Sequence, residues 1–381
     1  MDKPAYAKGL EGVIAAESAI CSIDGANGKL YHMGYSIEDL AAYCSFEEVT
    51  YLLLYGELPT RDKFADFSAR MRSSRDIAPP IREMIKSFPI EAHPMELLQS
   101  VISYLSGYVE HRIQHSATCN CRSTLHQVAQ LATVVAALDR FRAGNEYIPP
   151  RNDLSHGANF LYMMRGEEAD PREGEIMDKC LILHAEHGFN ASTFTTRVVA
   201  STMSTCYCSI SAAIGALYGS LHGGANEKVM AMVEEIGEKS NVEAWVDKAL
   251  DRKQKVMGMG HRVYKAKDPR AVLMEKYLIE LSEKHGNFRY YEILKEIERV
   301  FRDRMEETGK PIYPNVDFLS GAVYMLLGIP PVLFTPIFAV ARVTGWLSHI
   351  LEQRTDNRLF RPRAIYVGSG PREYIPMEGR V

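Results

Sequence analysis

The 381-residue chain is 46% hydrophobic and 24% charged, ordinary proportions for a globular protein of about two domains. Its 48 acidic and 44 basic residues leave a formal charge of -4. That balance gives no global field for nucleic acid or an anionic membrane, so an anion must be met by a local basic cluster. The chain shows no 18-residue apolar run, and Met1-Asp-Lys-Pro4 lacks the regions of a signal peptide, so a cytoplasmic location and no membrane partner are expected.

Seven scattered cysteines do not form a disulfide framework, and reduced thiols are the default in that compartment. Cys119-x-Cys121 lacks the gap of a zinc knuckle. Cys206 and Cys208, two apart on a helix, point about 200° apart, so no metal site is expected.

Along the chain, Asp24-Gly25 and Asn27-Gly28 between short apolar stretches predict a small N-terminal hairpin over Cys21–His32. Ser36 with Asp39, and Ser45 with Glu48, have capping-box spacing, the second opening a helix that Gly56 and Pro59 stop. Helices are predicted from Pro94 to Leu105 and from Arg122 to Arg142, then from Asp170-Pro171 toward His184. The Ala- and Ser-rich run from Ser192 to Leu217 reads as one buried helix. From 228 to 310 the chain turns rich in Glu and Lys, with helix starts at Asn241 and near Asp268, as suits exposed helices of a smaller domain. Apolar helices return at Pro314–Leu327 and Pro331–Leu351. The pattern predicts a mostly α protein with a discontinuous large domain and an inserted small one.

Four punctuated sites stand out for chemistry: His184-Ala-Glu-His187-Gly188, Leu221-His222-Gly-Gly224, Gly258-Met-Gly-His261 and Pro314-Asn-Val-Asp317. A histidine beside glycine meets a small ligand without neighbouring side chains in the way. His184 and His187, three apart, share a helix face near its C-terminal end, where a protonated imidazole binds a carboxylate; a zinc pair and core histidines are the competing readings. His222 precedes a helix starting near Ala225, and a neutral imidazole held by helix-end amides donates to a developing oxyanion. Otherwise it merely ends a buried helix.

Asp317 is an acid in an apolar segment. It is either a partly buried base with a raised pKa or an exposed first-turn carboxylate facing the helix dipole. Arg342 interrupts the apolar helix 334–351, where a buried guanidinium needs a carboxylate, from substrate or from protein. With Arg270 and Arg361 it offers planar forks that would select a dicarboxylate if they converge. The stretch Val256–Ala271 cannot be a helix or strand interior, because Gly258 and Gly260 take backbone angles closed to other residues and let a ligand approach the main chain.

These motifs together, with Asn190-Ala-Ser-Thr193, Gly258-Met-Gly-His-Arg-Val-Tyr-Lys265, Asp268-Pro-Arg270 and Asn357 to Gly368, resemble the citrate synthase family, in its short bacterial and archaeal form that includes 2-methylcitrate synthases. The resemblance runs over nearly the whole chain. It implies an all-α homodimer with a small N-terminal hairpin, a large domain of residues 1–223 and 329–381, and a small domain of residues 224–328 closing over the cleft. It implies that Asp317 takes a methyl proton from acetyl-CoA, that His222 hydrogen-bonds the thioester oxygen, and that His261 protonates the oxaloacetate carbonyl. His187, Arg270 and Arg342 match oxaloacetate-binding positions, with Arg361 supplied across the dimer interface. Gly258, Gly260, Arg262, Lys265 and Lys310 match positions near CoA, which is part of a substrate and not a resident cofactor. Many relatives have an acid after His187 where this chain has Gly188, leaving open what orients that imidazole. Propionyl-CoA in place of acetyl-CoA is the nearest alternative, and a non-catalytic CoA-binding helical dimer the alternative of another class.

Overall fold

The computed structural model describes residues 6–108, 122–261, 263–309 and 311–380. The hairpin forms as expected, with Cys21–Asp24 (β1) antiparallel to Lys29–His32 (β2). Asp24 holds its turn by accepting the backbone N–H groups of Ala26 and Asn27. A short third strand, Tyr35–Ser36 (β3), pairs with β2 and was not legible in the pattern.

Sixteen α-helices follow among the described residues. They are α1 (Ile37–Tyr43), α2 (Phe46–Tyr55), α3 (Arg61–Ser73), α4 (Pro79–Ser87), α5 (Pro94–Leu105), α6 (Arg122–Arg142), α7 (His156–Arg165) and α8 (Pro171–Ala185). Then come α9 (Ala191–Ser201), α10 (Cys206–Tyr218), α11 (Ala225–Ile236), α12 (Val242–Asp251), α13 (Pro269–His285), α14 (Arg289–Glu306), α15 (Val316–Leu326) and α16 (Phe334–Thr355). Local chemistry sets most starts. Ser36, Ser45, Thr60, Ser155, Asp170, Asn190, Thr205, Asp268 and Asn315 each accept a first-turn N–H with the side chain. Ser45 and Glu48 complete a reciprocal box at α2.

The predicted helix from Ser192 to Leu217 is two helices. Thr202 ends α9, Met203 takes a left-handed backbone (φ 63°), and Thr205 caps α10 through the Cys208 N–H. The two then pack on each other. Small residues allow that close antiparallel contact as readily as they allow a longer helix, so composition could not separate the two outcomes.

α16 is the axis of the core, touching α2, α6, α8, α9 and α10. The helical stretch Pro331–Thr355 is long and apolar enough by length and composition to cross a membrane, but 83% of its apolar 18-residue window is buried inside the fold. Around it, α11, α13 and α15 pack together, and α14 lies on α12. α14 shows why the 228–310 stretch reads as charged. Ile293, Leu294, Ile297, Val300 and Phe301 are buried, while Arg299 pairs with Glu296 and Asp303 on the outer face.

One buried ion cluster ties the first helices together. Glu47 of α2 is 2% exposed and accepts from Arg72 at 3.0 Å, from Ser68, and from Arg75 at 3.0 Å. Arg75 is fully buried and donates from Nη1 to the carbonyls of Arg151 and Leu154 at 2.7 and 2.9 Å. Removing one partner of such a pair strands the other charge. Glu47→Ala should therefore lower the unfolding free energy by about 3–5 kcal/mol, read as a fall in the urea midpoint at unchanged slope.

Candidate active site

The turn between α8 and α9 carries the first group. α8 stops at Ala185, and Glu186 is extended (φ -148°). His184 and His187 therefore do not share a helix face. His184 is a core histidine: it is fully buried, its Nδ1 lies 2.8 Å from the Cys180 carbonyl, and its ring stands edge-on to Phe338 at 4.9 Å. His187 lies outside the helix, half-buried, with Nε2 at 3.2 Å from the Tyr264 hydroxyl and its ring centroid 5.2 Å from that of His261. Burial and then the neighbouring Arg270 and Arg342 guanidinium groups hold its pKa well below the usual imidazole value. The protonated His187 expected from a helix end is thus replaced by a neutral one. Its orienting partner is Tyr264, a residue the sequence reading passed over, although an aromatic directly before Lys265 in a glycine loop was a usable signal.

The second group is the loop first singled out. Gly258 (φ 75°) and Gly260 (φ 89°) sit in left-handed backbone, and Met259 bridges to Pro314. The Gly260 N–H donates to the Tyr313 carbonyl at 2.8 Å. Asn315 donates its backbone N–H to Gly258 O and its side-chain amide to Gly260 O, both at 2.9 Å. A Cβ on Gly258 would come within 2.8 Å of the Phe318 backbone, so glycine is required for two reasons. The Gly260 amide, expected to face a nucleotide, is instead committed to joining two loops. That join ties the loop that carries His261 to the start of the helix that carries Asp317.

His261 accepts the N–H groups of Val263 and Tyr264 at Nδ1, at 2.9 and 3.2 Å. A nitrogen that accepts carries no proton, so the neutral ring presents Nε2–H. Burial, then Arg270, pushes its pKa down to about 4, keeping it neutral. His222 shows the same logic with the nitrogens exchanged. Its Nε2 accepts the Ser192 N–H at 3.1 Å, leaving the proton on Nδ1, with the Ser192 hydroxyl 2.8 Å away. The helix-end amide that holds it is that of α9, not of the α11 that follows it in sequence.

Asp317 is the second residue of α15, half-buried. Asn315 caps that helix by accepting the Asp317 N–H at 3.0 Å. Burial raises its pKa to about 6, Arg270 and Arg342 opposing and Asp268 reinforcing. Both alternatives posed for it hold in part, since it is a first-turn residue and it is poised as a base. Arg270 is buried and held by Asp268 through Nε and Nη2, at 3.0 and 2.7 Å. Arg342 is also buried. Among the described residues it has no carboxylate in contact, and it donates instead to the His184 carbonyl at 2.7 Å and lies 4.6 Å over the Phe338 ring.

Arg270 is thereby within electrostatic reach of His187, His261 and Asp317, and Arg342 within reach of His187 and Asp317. Arg361 is not among them. It lies on the exposed C-terminal segment, lining a cavity of about 1000 Å³ with Arg197, Glu352 and Phe360. Lys265 is exposed, its backbone N–H donating to Gly25 of the hairpin turn at 2.8 Å. Arg262 and Lys310 lie outside the described residues.

Comparison with known proteins supplies the family. The family described as "Citrate synthase, C-terminal domain" matches residues 9–363. A citrate synthase of Synechocystis is 45% identical over all of this chain and 95% of its own length. A 2-methylcitrate synthase of Corynebacterium glutamicum is 43% identical over 98% of this chain and 97% of its own. The solved ternary complex of carboxymethyl coenzyme A and oxaloacetate with the citrate synthase of Thermoplasma acidophilum superposes with a TM-score of 0.92, at 33% identity, over 99% of this chain and 100% of that one. With its motifs in order along the whole length and its fold the same, the chain belongs to the citrate synthase family.

Proposed function

We propose that this protein condenses acetyl-CoA with oxaloacetate and hydrolyses the resulting thioester to citrate and CoA. The observation that carries the reading is a carboxylate with its pKa raised to about 6, on a helix start hydrogen-bonded to the loop of a neutral imidazole whose N–H direction is fixed by backbone amides. A binding module has no use for such a base.

In this mechanism Asp317 removes a proton from the acetyl methyl carbon. The C–H electron pair moves into the new carbon–carbon double bond, and charge builds on the thioester oxygen, where His222 Nδ1–H donates a hydrogen bond. One such donor is worth about 10² to 10³-fold in rate. The enol carbon then attacks the ketone carbon of oxaloacetate, and His261 Nε2–H gives its proton to the carbonyl oxygen. Water adds to the thioester carbonyl while giving one proton back to His261, and the C–S bond breaks to release CoA, whose sulfur takes the proton held by Asp317. A free carboxylate with a pKa of about 3.9 is a weak base for a carbon acid, so the raised value at Asp317 is a requirement of the first step.

Arg270, Arg342 and His187 hold the dicarboxylate in this reading. Asp268 occupies one edge of Arg270 and leaves the other for the ligand. The protein works as a cytoplasmic homodimer, with Arg361 completing the site of the second subunit and residues 224–328 closing as a small domain over residues 1–223 and 329–381. Closure excludes water while the enol exists. Lys265, with Arg262 and Lys310, meets the CoA phosphates.

Relatives of both names match at nearly equal identity. One methylene in a pocket is worth only about 1–3 kcal/mol, so propionyl-CoA is the natural second substrate. Comparing initial rates with the two thioesters at saturating oxaloacetate assigns the preference, and a larger kcat/KM for propionyl-CoA would make 2-methylcitrate the main product.

Asp317→Asn should cut oxaloacetate-dependent release of CoA at least about 10³-fold without loss of helical signal. Near-normal activity in that variant would remove Asp317 from the mechanism. In the wild-type protein kcat/KM should rise with pH through about 6 as this carboxylate ionises. Stability runs the other way. The folded pKa of about 6 lies above the ordinary 3.8, so the folded state retains a proton that the unfolded chain has released. The contribution is complete below about pH 4 and is lost as the pH climbs through 6. Asp317→Asn should accordingly be more stable than wild type at pH 7 by up to about 2 kcal/mol, a gap that closes in thermal scans below pH 4.

A further inference from the structure

α16 turns one stripe of residues toward the segment that runs from His184 to Arg197. Arg342, Gly345, Trp346, His349 and Gln353 recur at the three- and four-residue steps of a single helix face. Arg342 donates to the His184 carbonyl at 2.7 Å, Trp346 Nε1–H to the Ser192 hydroxyl at 3.2 Å, and Gln353 accepts from Arg197 at 3.0 Å. Gly345 faces Glu186 so closely that an added Cβ would lie 2.3 Å from Oε2 of its carboxylate. His349 meets the other oxygen, with Nε2 at 3.2 Å from Glu186 Oε1.

The proton on that contact can be assigned. Arg197 Nη1 lies 3.2 Å from His349 Nδ1, and a guanidinium only donates, so Nδ1 is the accepting nitrogen and Nε2–H points at Glu186. Glu186 Oε1 also accepts the Gly188 N–H at 2.5 Å, while the Glu186 carbonyl faces His32 Nε2 at 3.1 Å. Phe189 stands edge-on to His349 at 5.9 Å and lies under Arg197. Glu186, His349 and His32 are all fully buried. The turn of residues 186–190 is therefore gripped from α16, and it carries His187 on one side and leads on the other to Ser192, whose N–H orients His222.

We propose that His349, which lies behind the site and touches none of its reacting groups, is a positioning residue for oxaloacetate: its Nε2–H fixes the Glu186 carboxylate, and the carboxylate fixes the turn that presents His187. The inference rests on the oxaloacetate-binding reading above. A turn released by about 1 Å loses aligned contacts, and misplacement of that size costs on the order of 10²-fold. Glutamine places an N–H donor near the position of Nε2, whereas leucine fills similar space with no donor.

The test is calorimetric titration of oxaloacetate into full-length wild type, His349→Leu and His349→Gln, with kcat and both KM values alongside. In His349→Leu the oxaloacetate Kd and KM should rise at least about tenfold, with the acetyl-CoA KM moving less than about twofold, and His349→Gln should return oxaloacetate to within about threefold of wild type. Unchanged oxaloacetate affinity in the leucine variant overturns the inference, as does an equal loss in both variants, which would make the role one of packing. Should the leucine variant fail to fold, Glu186→Gln must weaken oxaloacetate binding, and wild-type affinity there overturns the inference equally. A wild-type protein with no affinity for oxaloacetate overturns the functional reading, and this inference with it.

Discussion

The site depends on a core helix that is not uniformly apolar. α16 is buried along most of its length, yet one stripe of it carries Arg342, His349 and Gln353. Buried polar groups of this kind are tolerated only when partnered. Their partners are the carbonyl of His184, the carboxylate of Glu186 and the guanidinium of Arg197. Satisfying α16 therefore dictates where the α8–α9 turn runs, and the turn in turn places His187 and the Ser192 amide. Functional geometry here follows from pairing the polar groups of this one stripe of the buried helix.

A second constraint is electrostatic. Burial penalises positive charge on His187 and His261, and guanidinium groups add to it, Arg270 and Arg342 at His187 and Arg270 at His261. His187 and His261 are thereby kept neutral, so each offers a hydrogen-bond donor without competing for the proton that Asp317 must take. Asp317 feels opposite pulls: burial and Asp268 raise its pKa while the arginines lower it, and burial prevails. Asp268 thus has two effects, orienting Arg270 and partly cancelling its charge.

The His261 loop and the Asp317 helix are far apart in sequence but joined by short backbone contacts through Gly258, Gly260 and Asn315. This pairing makes the acid and the base of the proposed reaction one mechanical unit. It also explains why the glycines serve structure here, with at least the Gly260 amide turned inward.

Most of the helices were legible because their starts are local chemistry: a Ser, Thr, Asp or Asn cap, a first-turn proline, and an apolar period. The hairpin was legible from its two turn dipeptides, and the motifs carried the chemical candidates His222, His261, Asp317, Arg270 and Arg342. The split between α9 and α10 was not, because a run of small apolar residues satisfies one long helix or two packed ones equally well. Nor could spacing show that His187 leaves its helix, that Tyr264 orients it, or that Ser192 and not the start of α11 holds His222. By itself the sequence determined which residue types sit at which helix ends and which loops carry titratable groups, since these depend on neighbours within a few positions. Tautomers, the neutral state of the imidazoles, the raised pKa of Asp317 and the partners of Arg342 were decided only by tertiary structure. Desolvation and hydrogen bonding are set by groups that approach from other helices, and those approaches are fixed by packing around α16.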